Sequence, residues 1–335
     1  MTNVLYIGNA LSKKGKTSTT IDTLSKKLSE FCTVSVASKK TNKVLRLLDM
    51  VWSVFRNSTQ TDYVLIDTYS TANFYYALIV SQVCKLLGNK YIPILHGGNL
   101  EKRLIRNPKL CGLLFKGAYK LVTPSKFLKS VFANHGYDNS IFIPNTIEID
   151  NYKFNNREIK EIKLLWVRSF SSIYNPELAI MVLENLKKKG YSSTLTMIGP
   201  EIDGSLKRVE QIANEKKLNV LFTGKLSKKE WIKISEGHNI FINTTSIDNT
   251  PVSVIEAMAL GLPIISTNVG GMPYLIEDTK EGLLVPPNNA EAMSNAIIEI
   301  INDNSLKKSL VSNARAKVEK FDWEIVKPKW ELLLQ

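Results

Sequence analysis

Short apolar runs recur along the chain, separated by longer stretches in which apolar residues return every three or four positions. VLYIG at 4–8, TVSVAS at 33–38, YVLID at 63–67, YIPIL at 91–95 and KLVT at 120–123 are too short and too uniformly apolar for surface strands. They predict buried parallel strands with amphipathic helices between them. After IFIPN, a polar stretch from Glu148 to Glu161 interrupts the pattern. It then restarts with KLLWVR at 163, TLTMIG at 194, NVLFT at 219, NIFIN at 239, PIIST at 263 and GLLV at 282. The restart predicts two doubly wound α/β domains, 1–160 and 161–335. In such domains ligands bind at the carboxyl ends of the strands, and a crevice between two of them is the expected site. The closing segment FDWEIVKPKWELLLQ, with Trp323 and Trp330, reads as a terminal helix (about 320–335) that needs a surface to pack on.

Two helical patterns in the first half attract separate readings. KVLRLLDMVWSVFR at 43–56, weighed against a membrane-surface face, reads as a core helix. Between Lys102 and Lys129 stand eight basic residues and no acid, interleaved with Leu104, Ile105, Leu110, Leu113, Leu114 and Phe115. That stretch is either a face for an anionic membrane surface or an ordinary amphipathic region with its lysines in water.

Composition adds limits. The 335 residues, 44% of them hydrophobic, suffice for two globular domains. No apolar run approaches the roughly 18 residues of a membrane span, and MTNVLYIG leads into a strand without the features of a signal peptide, so a cytoplasmic location is expected. Cys32, Cys84 and Cys111 imply no disulfide framework, and His96, His135 and His238 show no metal-ligand spacing. The charge is uneven. Residues 1–160 carry 23 Lys and Arg against 10 Asp and Glu, whereas 161–335 carry 21 of each, so the whole net charge of +13 sits in the first half. Such asymmetry suits an anionic partner: nucleic acid, a membrane surface or an anionic acceptor. No nucleic-acid-binding module is visible, and no nucleic-acid partner is expected.

The densest chemistry lies in DNTPVSVIEAMALGLPIISTNVGGMPYLIEDTKEG, beginning at Asp248. Thr250 suits an N-cap, Pro251 the first helical position, and Gly261 with Pro263 a stop. The first turn would present the amides of Val252, Ser253 and Val254 to an anion such as a diphosphate. Glu256, one turn on, could accept hydrogen bonds from ribose hydroxyls, and Asp248 could reach the group beyond the phosphate. Taken alone, the same features also describe an ordinary packed helix. GNALSKKGKTSTT after the first strand invites a P-loop reading, but six residues separate Gly8 from Gly15 where that loop needs four, so an ATPase is not expected.

Asp248, Glu256, Ala257, Met258, Ala259, Gly261, Pro263, Gly270 and Gly271 follow, position by position, a signature of two acids eight residues apart, Ala-Met-Ala, Gly-x-Pro and a Val-Gly-Gly loop. The stretch resembles the family-4 glycosyltransferases (glycosyl transferases group 1). The resemblance implies the GT-B architecture, two Rossmann-like domains facing a central cleft. It makes 1–160 the acceptor domain and 161–335 the nucleotide-sugar domain, with the last helix crossing back to the first. It implies retaining transfer from a nucleoside-diphosphate sugar (UDP- or GDP-sugar) to a lipid-linked or polysaccharide acceptor, in cell-surface polysaccharide assembly. No cofactor and no metal are expected. Arg168 matches the phosphate-binding arginine, Glu256 the ribose ligand, and Asp248 and His96 the groups that orient the sugar. Gly15, Lys16, Gly199, Lys225, Val252 and Ser253 complete the donor contacts.

The chain departs from the pattern at several positions, Thr146 and Glu148 among them in place of the usual Gly and Asp. Asp248 is one methylene short of the usual Glu, Tyr174 and its neighbours stand where a second phosphate-binding Lys is usual after Arg168, and Tyr274 replaces a further Glu. Losing that cation would cost roughly 1–3 kcal/mol of leaving-group stabilisation unless Lys16 or Lys225 replaces it. These departures leave two rivals: a non-catalytic sugar-nucleotide-binding relative, and an epimerase or phosphorylase on the same architecture.

Overall fold

The computed structural model describes residues 1–10 and 19–335. The chain divides into two compact units, 1–144 with 326–335, and 145–325. In the first, β1 (Asn3–Ile7), α1 (Thr20–Leu28), β2 (Thr33–Ala37), α2 (Lys43–Asn57), β3 (Tyr63–Thr68), α3 (Asn73–Leu86), β4 (Lys90–Leu95), α4 (Leu100–Arg106), α5 (Pro108–Phe115), β5 (Leu121–Thr123), α6 (Lys126–Asn134) and β6 (Ser140–Phe142) follow in order. Each apolar run read from the sequence is a strand, and all six are parallel, ordered β2-β1-β3-β4-β5-β6. The order reverses between β1 and β3, where a crevice opens at the carboxyl ends of a doubly wound sheet.

The second unit repeats the plan with β7 (Ile162–Val167), α7 (Pro176–Lys188), β8 (Ser193–Ile198), α8 (Ser205–Glu215), β9 (Val220–Gly224), α9 (Lys228–Ser235), β10 (Ile240–Asn243), α10 (Val252–Ala259), β11 (Ile264–Thr267), α11 (Met272–Leu275), β12 (Leu283–Val285), α12 (Ala290–Asn302) and α13 (Asn304–Glu319). Its parallel order, β12-β11-β10-β7-β8-β9, reverses between β7 and β10. The final helix, α14 (Trp323–Leu333), begins in the second unit and ends in the first. The fold is the expected pair of Rossmann-like domains of the GT-B class.

The polar stretch 148–161 belongs to the second unit because it is tied to α10. Tyr152 is buried, Arg157 Nη1 donates to the Leu260 carbonyl at 2.6 Å, and Lys307 Nζ donates to the Arg157 carbonyl at 2.9 Å. Arg315 Nη1 reaches both the Tyr152 and Ala259 carbonyls, at 2.8 and 2.7 Å. Two guanidiniums therefore take the orphan carbonyls at the negative end of α10, which fixes the helix from behind. Burial draws the Arg157 pKa down to about 10.

One expectation is reversed. The helix 43–56, read as core, is α2, and it turns only Arg46, Met50 and Val54 inward. Val44, Leu45, Leu48, Trp52 and Phe55 are exposed. Nine of its fifteen residues are apolar and surround the axis, but a helix beside one sheet can bury a single stripe. In the basic region 102–129 the apolar residues divide the other way. Leu104, Leu114 and Phe115 are core, and of the large apolar side chains in α4 and α5 only Ile105 and Leu113 are exposed. Arg103 bends inward onto the Ser70 carbonyl at 2.6 Å.

Candidate functional site

The second unit gathers the acids, the arginine and the helix start at the carboxyl ends of β7 and β10, the two strands flanking its reversal point. Arg168 follows β7 directly, and its amide donates to the Ile198 carbonyl at 3.0 Å. Its guanidinium is ion-paired with Asp248 and lies 4.4 Å over the Tyr174 ring. Burial lowers its pKa from the ordinary value, opposed by the nearby Tyr174 hydroxyl. Its Nε has no acceptor among the described residues. The position after Arg168 that lacks a lysine thus holds a ring that stacks on the arginine. Tyr174 closes a one-turn 3-10 segment (Ser172–Tyr174), and its carbonyl accepts from Thr244 Oγ1 at 2.8 Å.

Asp248 is set by a loop packed backbone to backbone. Its carbonyl accepts from the Gly271 amide at 2.9 Å, and its Oδ1 accepts from the Asn249 amide at 2.8 Å. A Cβ on Gly271 would collide with the Asn249 carbonyl, and one on Gly199 with the Arg168 carbonyl. These two glycines are there for close approach, each holding the backbone of one charged partner.

The start of α10 corrects the sequence reading by one residue. Pro251, at φ −69° and ψ 122°, is the cap, and Thr250 lies outside the helix. A proline side chain accepts nothing, so no side-chain oxygen caps the helix. The Val254 amide donates to the Pro251 carbonyl at 3.1 Å, leaving the Val252 and Ser253 amides with no acceptor among the described residues. Ser253 Oγ is buried and likewise unpartnered among them. Three donors therefore meet at the positive end of a helix whose other end is neutralised by arginines.

Glu256, 4% exposed, is buried one turn further on. Its Oε1 accepts from Tyr152 Oη at 2.7 Å and pairs with Lys228 Nζ at 2.7 Å. Burial and the adjacent carboxylate hold the Tyr152 hydroxyl protonated, far above the ordinary tyrosine value. Neither partner was foreseen from sequence. Tyr152 lies in the polar stretch that interrupts the apolar pattern and was placed in the first domain, and Lys228 lies three residues past Lys225, which was favoured instead. The only signal for Lys228 is the box Ser227–Glu230, which starts α9 at that lysine. Lys225 is exposed beyond Gly224, whose carbonyl accepts from the Gly199 amide at 2.9 Å.

In the first unit, His96 follows β4 and lies beside Asp67 at the end of β3, because those strands pair Thr68 with Leu95. His96 Nε2 is 2.8 Å from Asp67 Oδ1, which also accepts from Tyr6 Oη at 2.9 Å. The Tyr69 ring stacks on the imidazole at 4.9 Å. All of these groups are largely buried, and desolvation, then the Asp67 charge, raises the Tyr6 and Tyr69 hydroxyls well above their ordinary values. Asp67 Oδ2 has no partner among the described residues. The acid at the end of YVLID was a readable signal for a polar site at a strand end, and the sequence reading passed over it. Gly15 and Lys16 lie outside the described residues, which contain no cluster of three His, Cys, Asp or Glu able to hold a metal.

The geometry can be set beside known proteins. An uncharacterized glycosyltransferase of Methanocaldococcus jannaschii, MJ1178, is 25% identical over 75% of this chain and 70% of its own. The putative colanic acid biosynthesis glycosyltransferase WcaL of Salmonella typhimurium is 36% identical over 27% of this chain, and the match spans only 22% of that relative. The crystal structure of Anabaena HepE in complex with UDP superposes with a TM-score of 0.82 at 16% identity, covering 100% of this chain and 99% of that one; HepE has also been crystallised with UDP-glucose. The model for glycosyl transferases group 1 matches residues 148–317, half of the chain and the whole of the Arg168, Asp248 and Glu256 constellation. The chain belongs to the glycosyl transferases group 1 family.

Proposed function

We propose that this protein transfers a sugar, with retention of anomeric configuration, from a nucleoside-diphosphate sugar to a lipid-linked or oligosaccharide acceptor in cell-surface polysaccharide assembly. The observation that carries the donor is the set of donors left without acceptors among the described residues, namely the Val252 and Ser253 amides, the buried Ser253 hydroxyl and Arg168 Nε, on segments that follow the two strands flanking the reversal point. Such donors suit the oxygens of a diphosphate. As the bond from the anomeric carbon to the diphosphate breaks, charge grows on the leaving oxygen. Arg168 and the positive end of α10 stabilise it there. Glu256, held by Tyr152 and Lys228, takes the ribose hydroxyls, and Asp248, ion-paired with Arg168, orients the sugar. For His96, held by Asp67, the role that the resemblance implies is to orient the sugar. HepE's complexes with UDP and UDP-glucose support a uridine donor, and WcaL's role in colanic acid supports the polysaccharide setting.

The test is calorimetric titration with UDP, GDP, ADP and CMP, for the native chain and Glu256→Gln. One nucleotide should bind, and the variant should weaken it; the corresponding donor sugars are then screened for turnover, with the product's anomeric configuration read by NMR. No nucleotide binding at millimolar concentration would remove the donor assignment. Binding with no transfer to any acceptor would favour a non-catalytic relative, the reading supported by the tyrosine that stands in place of the usual lysine after Arg168.

A further inference from the structure

The exposed face of α2 has no part in the donor chemistry, and nothing in the fold requires it to be apolar. Val44, Leu45, Leu48, Trp52 and Phe55 form one continuous stripe at helical spacing, exposed by 67, 55, 59, 65 and 43%. The helix beneath is firmly built. Asn42 accepts from the Val44 and Leu45 amides at 2.9 and 3.2 Å, and buried Arg46 donates to the Lys40 and Thr41 carbonyls at 2.7 and 2.8 Å. The stripe is therefore presented on a fixed element. α3 is tied to the same helix, since Tyr76 Oη donates to the Lys43 carbonyl at 3.2 Å.

Charge names the occupant. Lys39, Lys40, Lys43 and Arg56 stand exposed at the two ends of the stripe, and Asp49 is the only acid in α2. The enclosing segment 1–144 carries 20 Lys and Arg against 7 Asp and Glu. A second copy docking face to face would set these cations against their own equivalents, which disfavours self-association. An anionic bilayer complements both parts of the surface, taking the apolar stripe into the headgroup boundary and the basic ends onto its phosphates.

We propose that α2 is the membrane-contacting element of this protein, laid in the plane of an anionic lipid surface through Leu45, Leu48, Trp52 and Phe55. It moves the main apolar contact from the basic region 102–129, where most large apolar residues are core, to a helix that the sequence pattern assigned to the interior. The proposal is independent of the transfer reading, since lipid binding is measured with no donor or acceptor present.

Trp52 provides the probe, because the other four tryptophans, Trp166, Trp231, Trp323 and Trp330, are all buried. The full chain is mixed with vesicles of phosphatidylglycerol and phosphatidylcholine in equal amounts, some carrying brominated acyl chains, and scored by flotation and tryptophan quenching. The native chain should float and be quenched by the brominated lipid. Leu48→Ser with Phe55→Ser should weaken flotation by about tenfold or more, since each side chain loses a buried apolar contact. Lys43→Glu with Arg56→Glu should weaken it by roughly tenfold, and raised salt should do the same. These positions are exposed, and unchanged circular dichroism and melting confirm folding of each variant. Absence of flotation, flotation without quenching, or flotation equal in the native chain and the serine variant would each overturn the proposal. So would a concentration-dependent dimer in sedimentation that the serine variant abolishes, which would give the stripe to a second copy.

Discussion

At Glu256, two protein groups already occupy the carboxylate that is proposed to receive a ribose. Tyr152 is buried and fixed, whereas Lys228 approaches from solvent on a flexible stem with its side chain 56% exposed. The tyrosine therefore sets the carboxylate's position, and the lysine is the partner that can be exchanged when ribose hydroxyls arrive. Tyr152→Phe should weaken the bound nucleotide several-fold, corresponding to one hydrogen bond of about 1 kcal/mol, and Glu256→Gln by tenfold or more. Calorimetry checks both; equal affinities for native chain and Tyr152→Phe would reduce the tyrosine to a packing residue. Arg168 calls for a paired design, because its removal strands Asp248 as well. Arg168→Ala should lower kcat by about 10²-fold or more while donor affinity falls less, if the arginine acts on charge that develops during transfer. Asp248→Asn, which keeps the shape and removes the countercharge, should leave nucleotide affinity intact or raise it while turnover falls.

α10 shows how an element can be legible in kind and wrong in detail. The proline and the glycine-proline stop marked both its ends, but proline itself is the cap, since Pro251 keeps non-helical backbone angles. The glycines of the following loop were readable only as a motif. Their physical reason, the Asp248 and Asn249 backbone lying directly against Gly270 and Gly271, depends on a fold-back that local pattern does not encode. Gly271→Ala should displace Asn249 and the start of α10, reducing donor affinity by about tenfold with little loss of global stability; an unchanged titration would show that the loop yields without moving the site. The arginines that cap the far end were illegible for a similar reason, since Arg157 and Arg315 are over a hundred and fifty positions apart in the chain. His238, just before β10, ties the same unit to pH. Its Nδ1 lies 2.8 Å from the Ile234 carbonyl and its Nε2 2.8 Å from Thr196 Oγ1, and burial, with Arg157 and Lys163 nearby, lowers its pKa below the usual 6.5. The unfolded chain then binds this proton first as pH falls. The group's contribution is complete above the unfolded value and declines as pH drops through it toward the lower folded value. Urea midpoints for the second unit should fall from neutral pH to about pH 5, and less steeply in His238→Gln.

For the whole molecule, the buried parallel strands and the restart at residue 163 were legible because a parallel sheet buries both its faces and leaves uninterrupted apolar runs. What could not be read was which apolar helix faces would find a partner, as α2 shows. Nor could local pattern alone show where the last helix belongs, which only the resemblance had crossing back to the first domain. Residues 326–335 join the first unit, with Val326, Trp330, Leu333 and Leu334 buried, Lys327 paired to Glu30 at 2.7 Å and Lys329 Nζ 5.5 Å from the Phe142 ring. The first unit thus includes a segment that follows the whole second unit in the chain. Truncation after Ile325 removes four buried apolar side chains, at roughly 1.5–3 kcal/mol each, from a unit whose total stability is expected to be about 5–15 kcal/mol. The shortened chain should lose amide-exchange protection across β1 to β6 while β7 to β12 retain theirs. Its second unit still closes on itself, since the Trp323 amide donates to the Ile147 carbonyl at 3.1 Å and Asp322 Oδ2 accepts from the Ile149 amide at 2.8 Å. Protection lost equally in both units would mean that they unfold as one cooperative body, and protection kept in both would mean that the terminal segment is dispensable packing.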